Sequence, residues 1–366
     1  MTALRTLLLL GLCLAGTGAV AAPAGEDRWI TAFGQAFAPW DERGAIEQLP
    51  FHDFSGRTYR YVATLAVPAG KVRVRLSNEL EHRDLVIGDA TLAIVGVAGS
   101  QRHLSWGSGK TRGRAPPGAP LLSDPVDLDV APGQKLMISL YFPETYIPAG
   151  HASARSADGA WSTTVGRREK VNAFFSLKGN FVDDSSAQGA GTEVNPLVAG
   201  IEVVPPTSGW KSVVVIGTDP DSRLDGWAAR LAARAATRRI AVANLALPVP
   251  DAASGGAGES DLSRLDRDLI ARPSVDAAIL RRGARVAPAD QADFAYGQIV
   301  RRAQDHDIAI LADLSPPADR PRSDANAATP PQIDPVDLGL LEQALAGGQE
   351  TSEAPGPPRK RSRPRR

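Results

Sequence analysis

Five histidines and one cysteine bound the side-chain chemistry open to this 366-residue chain. The lone Cys13 excludes an intrachain disulfide framework, a Cys-rich zinc site and an iron–sulfur cluster. His52, His82, His103, His151 and His306 form no His-x-His or His-x-x-His pair, so spacing assembles no metal site from them, and no cofactor is expected. Asp219-Pro220-Asp221 could hold a divalent cation or, at less cost, form a turn with a capping carboxylate. Ser222 beside it reads as a displaced nucleophile or as a helix-initiating serine. Arg281, Arg282 and Arg285 could bind an anion or be solvated charge at a strand end. Trp40, Trp106, Tyr146 and Trp161 could form a sugar-stacking surface or pack into a core.

These side chains need elements to position them. At roughly 150 residues per domain the length suggests two domains, and 43% hydrophobic with 22% charged residues reads as globular. Lys and Arg total 41 against 41 Asp and Glu, a balance that argues against a nucleic-acid partner. Arg5, the apolar run over 6–16 and Ala19-Val20-Ala21 read as a secretory signal peptide over 1–21, which predicts an exported protein, periplasmic or extracellular, with no transmembrane segment after cleavage. Residues 29–204 show short alternating strands broken by Gly, Pro, Asn and Asp, as in a β-sandwich or jelly roll. Within them, 59–67 and 71–76 read as a hairpin with one wet face.

After 205–209 the texture changes. Val213-Val214-Val215-Ile216 suits a parallel strand buried on both faces, and strand and helix patterns then alternate through 210–346. That alternation predicts a doubly wound sheet whose chemistry sits at the carboxyl ends of the strands. Residues 347–366 cannot bury a core and should be disordered, ending in Arg359-Lys360-Arg361-Ser362-Arg363-Pro364-Arg365-Arg366. Such a basic tail could contact anionic envelope polymer or lipid head groups, or simply solubilise the chain.

Trp29, the segments 73–78, 85–88, 122–126 and 136–141, and then 213–217 and 262–268, resemble the secreted SGNH (GDSL-type) esterase and lipase family that carries an N-terminal β-sandwich, over about residues 29 to 320. The resemblance implies an α/β protein: a jelly-roll-like sandwich followed by a flavodoxin-like, three-layer α/β/α hydrolase domain, here truncated at the C-terminus. It also implies four catalytic blocks, and the chain departs from each. The nucleophile turn Gly-Asp-Ser reads Gly217-Thr218-Asp219, so a carboxylate stands where a hydroxyl is needed. The glycine oxyanion-hole block resembles Asn244 to Val249, where both glycines are gone and Pro248 lacks an N–H. The Gly-x-Asn-Asp block reads Gly283-Ala284-Arg285-Val286, and no histidine follows His306 to serve as base.

The resemblance therefore implies a catalytically inactive family member, a pseudoenzyme that binds acylated carbohydrate or cell-envelope polymer. Its degenerate positions are Asp219, Val249 and Arg285, and its candidate ligand-binding residues are Gly217, Asp219, Gly283, Arg285, Trp106 and Trp161. The old site is then open, or filled by Asp219 pairing with Arg285. Two alternatives stand beside this: an active carboxylic ester hydrolase using relocated residues such as Ser222, and a degraded remnant without function.

Overall fold

The computed structural model describes residues 27–39, 49–155, 159–162, 170–184, 187–219, 223–247, 260–281, 289–313 and 338–346. The expected signal peptide and basic tail lie outside these residues.

The first half is built from antiparallel strands. We label β1 (Ile30–Gly34), β2 (Arg57–Thr64), β3 (Ala69–Asn78), β4 (Asp89–Ile94), β5 (Val126–Val130), β6 (Lys135–Phe142), β7 (Ala173–Lys178), β8 (Gly189–Thr192) and β9 (Val198–Val204). One sheet runs β1-β9-β3-β5, with Ala119–Leu122 also paired to β3; the other runs β8-β7-β2-β6-β4 and ends on Arg102–His103. Between them lies a core of Phe54, Tyr59, Tyr61, Leu76, Phe142 and Phe175. Aromatic rings pack here at tilted angles, as between Phe54 and Phe175, whose centroids are 4.2 Å apart.

The hairpin expected from 59–67 and 71–76 does not form. β2 pairs with β6 and β7 in one sheet, while β3 pairs with β9 and β5 in the other. Alternation correctly gives each strand an apolar face, but the two faces meet across the core, with Tyr59 and Tyr61 opposing Val72, Val74 and Leu76. The supposedly wet face of β3 is also covered. Arg73 Nε donates to Glu202 at 2.6 Å and Arg75 Nη2 to Glu79 at 3.0 Å. Arg272 from the second half is buried there too, its guanidinium pushed down to about 10 by burial and by the neighbouring Arg75 charge.

The second half carries β10 (Lys211–Gly217), α1 (Trp227–Ala236), β11 (Ile240–Asn244), β12 (Ala277–Arg281), α2 (Ala289–Gln304), β13 (Ala309–Asp313) and α3 (Leu338–Ala346). The four strands are parallel in the order β11-β10-β12-β13. On one face Val214, Ile216, Ala278 and Leu280 pack against Leu265, Leu269 and Ile299; on the other, Val213, Val215 and Ile279 pack against Trp227 and Leu231.

The expectation of an α/β chain with a flavodoxin-like three-layer domain is overturned. The described residues are mostly strand, arranged in several antiparallel sheets, and helix is the minor component. The reason lies in what covers the parallel strands. Between β11 and β12 the described chain supplies the five-residue π turn Asp266–Ile270 where the alternation predicts a full crossover helix. The edge strand β11 is packed by the sandwich instead: Ala241 belongs to the sandwich core, and a Cβ on Gly34 would come within 2.9 Å of Leu245 Cδ1. Among the described residues no helix is long and apolar enough to cross a membrane.

The carboxyl ends of β10 and β11 are tied by one side chain. Arg264, 2% exposed, donates through Nη1 to Leu245 O (2.8 Å) and Asp268 Oδ2 (2.7 Å), and through Nη2 to Gly217 O (3.0 Å) and Asp261 Oδ1 (2.5 Å). The planar fork lets one cation satisfy two carbonyls and two carboxylates. Arg264→Met takes one donor from each of these buried acceptors, although Gly217 O still accepts from Leu247 N at 2.9 Å and Asp268 from Arg267 Nε at 3.0 Å, so it should lower the unfolding free energy by about 3–5 kcal/mol in urea titration. Arg264→Lys should recover only part of the loss, because an ammonium cannot reproduce the fork.

Candidate functional site

The site begins where β10 ends. Gly217 has φ +96°, and a Cβ on it would run into the Arg281 carbonyl, so only glycine lets the two backbones cross here. Thr218 N then donates to Arg281 O at 3.0 Å and Asp219 N to Leu247 O at 2.8 Å, fixing the turn between β12 and the segment after β11. This brings Asp219 to the position that the motif reading gives the nucleophile.

Asp219 is 3% exposed. Its Oδ1 accepts from Arg281 Nη1 at 2.8 Å and its Oδ2 from Asn244 Nδ2 at 3.2 Å. The Arg281 guanidinium in turn lies 4.3 Å from the Trp227 ring centroid, a cation–π contact that covers the cation's face with apolar surface. The structure pairs Asp219 with Arg281, while the pairing with Arg285 expected from the sequence falls on a residue outside those described. Arg281 is the last residue of β12, level with Gly217 across the sheet, which is why it reaches the turn. Arg285, Gly283, Val249 and Ser222 lie outside the described residues. A carboxylate held this way accepts a hydrogen bond at each of its oxygens.

A cavity of about 700 Å³ opens beside Asp219, between the sandwich and the parallel sheet. One wall is the alanine face of α1, with Ala228, Ala229, Ala232 and Ala233, continued by Ala243 and Asn244 of β11. The sandwich wall carries Ala32, Gln35, Ala63, Leu65, His151 and Asn172, and the charged lining is Arg155, Glu193, Asp219, Arg223 and Asp225. On this wall Gln35 is held by three hydrogen bonds: Oε1 accepts from Tyr61 Oη (2.8 Å) and Asn195 Nδ2 (2.7 Å), and Nε2 donates to Ser153 O (2.7 Å). Burial pushes the Tyr59 and Tyr61 phenols well above their usual range, so both hydroxyls stay protonated donors. Among the described residues no three His, Cys, Asp or Glu side chains come together to hold a metal ion.

The tryptophans proposed as a stacking surface are placed differently. Trp106 is 5% exposed, inside the sandwich core, with its ring against Gly113, so it has no free face for a sugar. Tyr146 is likewise core. Trp161 is half-buried and stacked on Phe174 at 5.4 Å. Sequence reasoning named Arg281 as one of three arginines that could bind an anion, Asn244 within the degenerate oxyanion block and His151 among the scattered histidines, but it missed Asn172. Arg281 carried a signal, since it directly follows the apolar strand at the end where chemistry was expected. The cavity positions of His151 and Asn172 carried none, because they depend on how the two halves pack.

Neither a family model nor a curated protein matches the chain. Among solved structures it aligns with a family two carbohydrate esterase from Clostridium thermocellum in complex with cellohexaose, at 11% identity over 86% of this chain and 82% of that one, with a TM-score of 0.26. So loose a superposition leaves the resemblance to the SGNH family resting on the motif residues alone.

Asp219→Ala takes a carboxylate away from the buried Arg281 cation, and should cost about 3–5 kcal/mol in chemical denaturation. Adding Arg281→Met should return at least half of that loss, because the double variant buries no unpaired charge. An additive double variant would show that the pair contributes no coupling.

Proposed function

We propose that the protein is an exported, non-hydrolytic binding protein whose ligand is an acylated carbohydrate, held in the cavity between the two halves. The observation that carries this reading is the state of Asp219: the nucleophile position is occupied by a buried carboxylate paired with Arg281, while the space beside it stays open. The cavity's chemistry fits the ligand class. The alanine face of α1 offers a smooth apolar wall for an acyl group, and His151, Asn244 and the charged lining offer partners for hydroxyls. Export rests on the leader-like residues 1–21.

One observation favours ester hydrolysis as a second reading. His151, an imidazole, lines the same cavity as Asp219 and Arg223, next in sequence to Ser222, and could serve a relocated nucleophile as base.

A single set of assays separates the two. The purified protein should neither turn over short-chain p-nitrophenyl esters nor be labelled by a serine-reactive fluorophosphonate, yet should bind a partially O-acetylated xylo-oligosaccharide in calorimetry. Turnover that disappears on Ser222→Ala or His151→Ala would overturn the binding reading in favour of the enzyme.

A further inference from the structure

Between Asp219 and Trp227 the chain crosses the cavity and returns. Asp219 belongs to the parallel-sheet wall, where its N donates to Leu247 O at 2.8 Å, and Trp227 and Ala228 are back on that half, packed with Val213 and Val215. Between these two points Leu224 reaches the sandwich: its N donates to Arg155 O at 2.9 Å, and its half-buried side chain packs against the sandwich core. Arg223, Leu224 and Asp225 all line the cavity, so this strap forms a side wall that joins the other two. Both of its roots are held by one side chain. Arg281 Nη1 donates to Asp219 Oδ1 at 2.8 Å, and the same guanidinium lies 4.3 Å from the Trp227 ring centroid. The roots are buried, whereas at the tip the Arg223 side chain is 48% exposed. Arg223 and Asp225 neutralise each other within the strap, Nε to Oδ1 at 3.0 Å and Nη2 to Oδ2 at 2.9 Å, so lifting the tip does not separate these two charges.

We propose that residues 223–225 gate the cavity: the strap unseats at Leu224 to admit a ligand and seats again over it, with Arg281 as the fixed point at both roots. The role rests on the binding reading above and adds to it a controlled entry. A short loop whose ends are held together and whose tip rests on another surface moves as a unit about its roots. The seat at Leu224 joins a backbone hydrogen bond to a half-buried side chain, whereas Val213, Val214 and Val215 of β10 are fully buried in the sheet behind it. Opening at the tip therefore costs far less than parting the walls it bridges.

The gate is tested first without ligand and then with it. In native-state hydrogen exchange the Leu224 amide should exchange at least about a hundredfold faster than that of Val214, at a rate insensitive to low urea, the mark of local opening. Leu224→Ala should lower the protection of that amide about tenfold and leave Val214 unchanged, while Leu224→Met, which keeps the apolar contact, should match the wild type. In stopped-flow binding of a partially O-acetylated xylo-oligosaccharide, Leu224→Ala should raise the association rate by the same factor, since both measurements report the fraction of molecules with the strap open. Loss of a mere ligand contact would act on dissociation instead. A Leu224 amide as protected as Val214 would overturn the proposal, because the strap would then open only when the protein unfolds. So would an association rate that Leu224→Ala leaves unchanged, which means entry past a seated strap and leaves the binding reading standing. Failure of the wild type to bind the probe would overturn the binding reading and the gate with it, whatever the exchange shows.

Discussion

Parallel strands that end side by side leave a row of backbone carbonyls pointing out of the sheet, and in a buried setting each needs a donor. In this protein Arg264 answers that need. One guanidinium bonds the last carbonyls of two neighbouring strands and is itself neutralised by Asp261 and Asp268. The three charged residues come from a single segment, spaced so that i,i+3 and i,i+4 carboxylates flank the arginine. The rest of the site is placed by this anchor: the crossing at Gly217, the turn that carries Asp219 and the approach of Leu247 all begin at the carbonyl that Arg264 holds.

A second buried cation, Arg281, works at the same ends of the strands from the other side. Its carboxylate partner Asp219 and the Trp227 ring enclose it, so two arginines secure the turn. Buried ion pairs of this kind are by themselves weak evidence for stability. They are costly to break and fix one arrangement of the turn. An ordered turn beside an open cavity offers a wall that is already in position.

The legibility of the fold in the sequence follows the range of the forces involved. Period-two alternation exposed the strands of the first half, and the β-branched run Val213–Ile216 exposed a strand buried on both faces, because both signals are local. Which strands pair is not local. The segments 59–67 and 71–76 look like a hairpin along the chain but separate into two sheets, because their apolar faces are satisfied by opposing each other across the core. The same limit explains Arg75, whose polar character predicts water but which lies beneath the second half of the protein. It also explains the class of the fold: alternating strand and helix signals gave no sign that β1 would take up the flank of β11, where a helix was expected. At the site, the acid in Gly217-Thr218-Asp219 was plain in the sequence, whereas the pairing of that acid with Arg281 was decided by sheet register.

The Asp219–Arg281 pair also constrains which substitutions the turn tolerates. The cation is enclosed by Trp227 and the sheet, so changing Asp219 to a neutral residue takes a carboxylate away from it inside the protein. Relief then comes from a second change at residue 281, so the two positions are free to vary together but not singly.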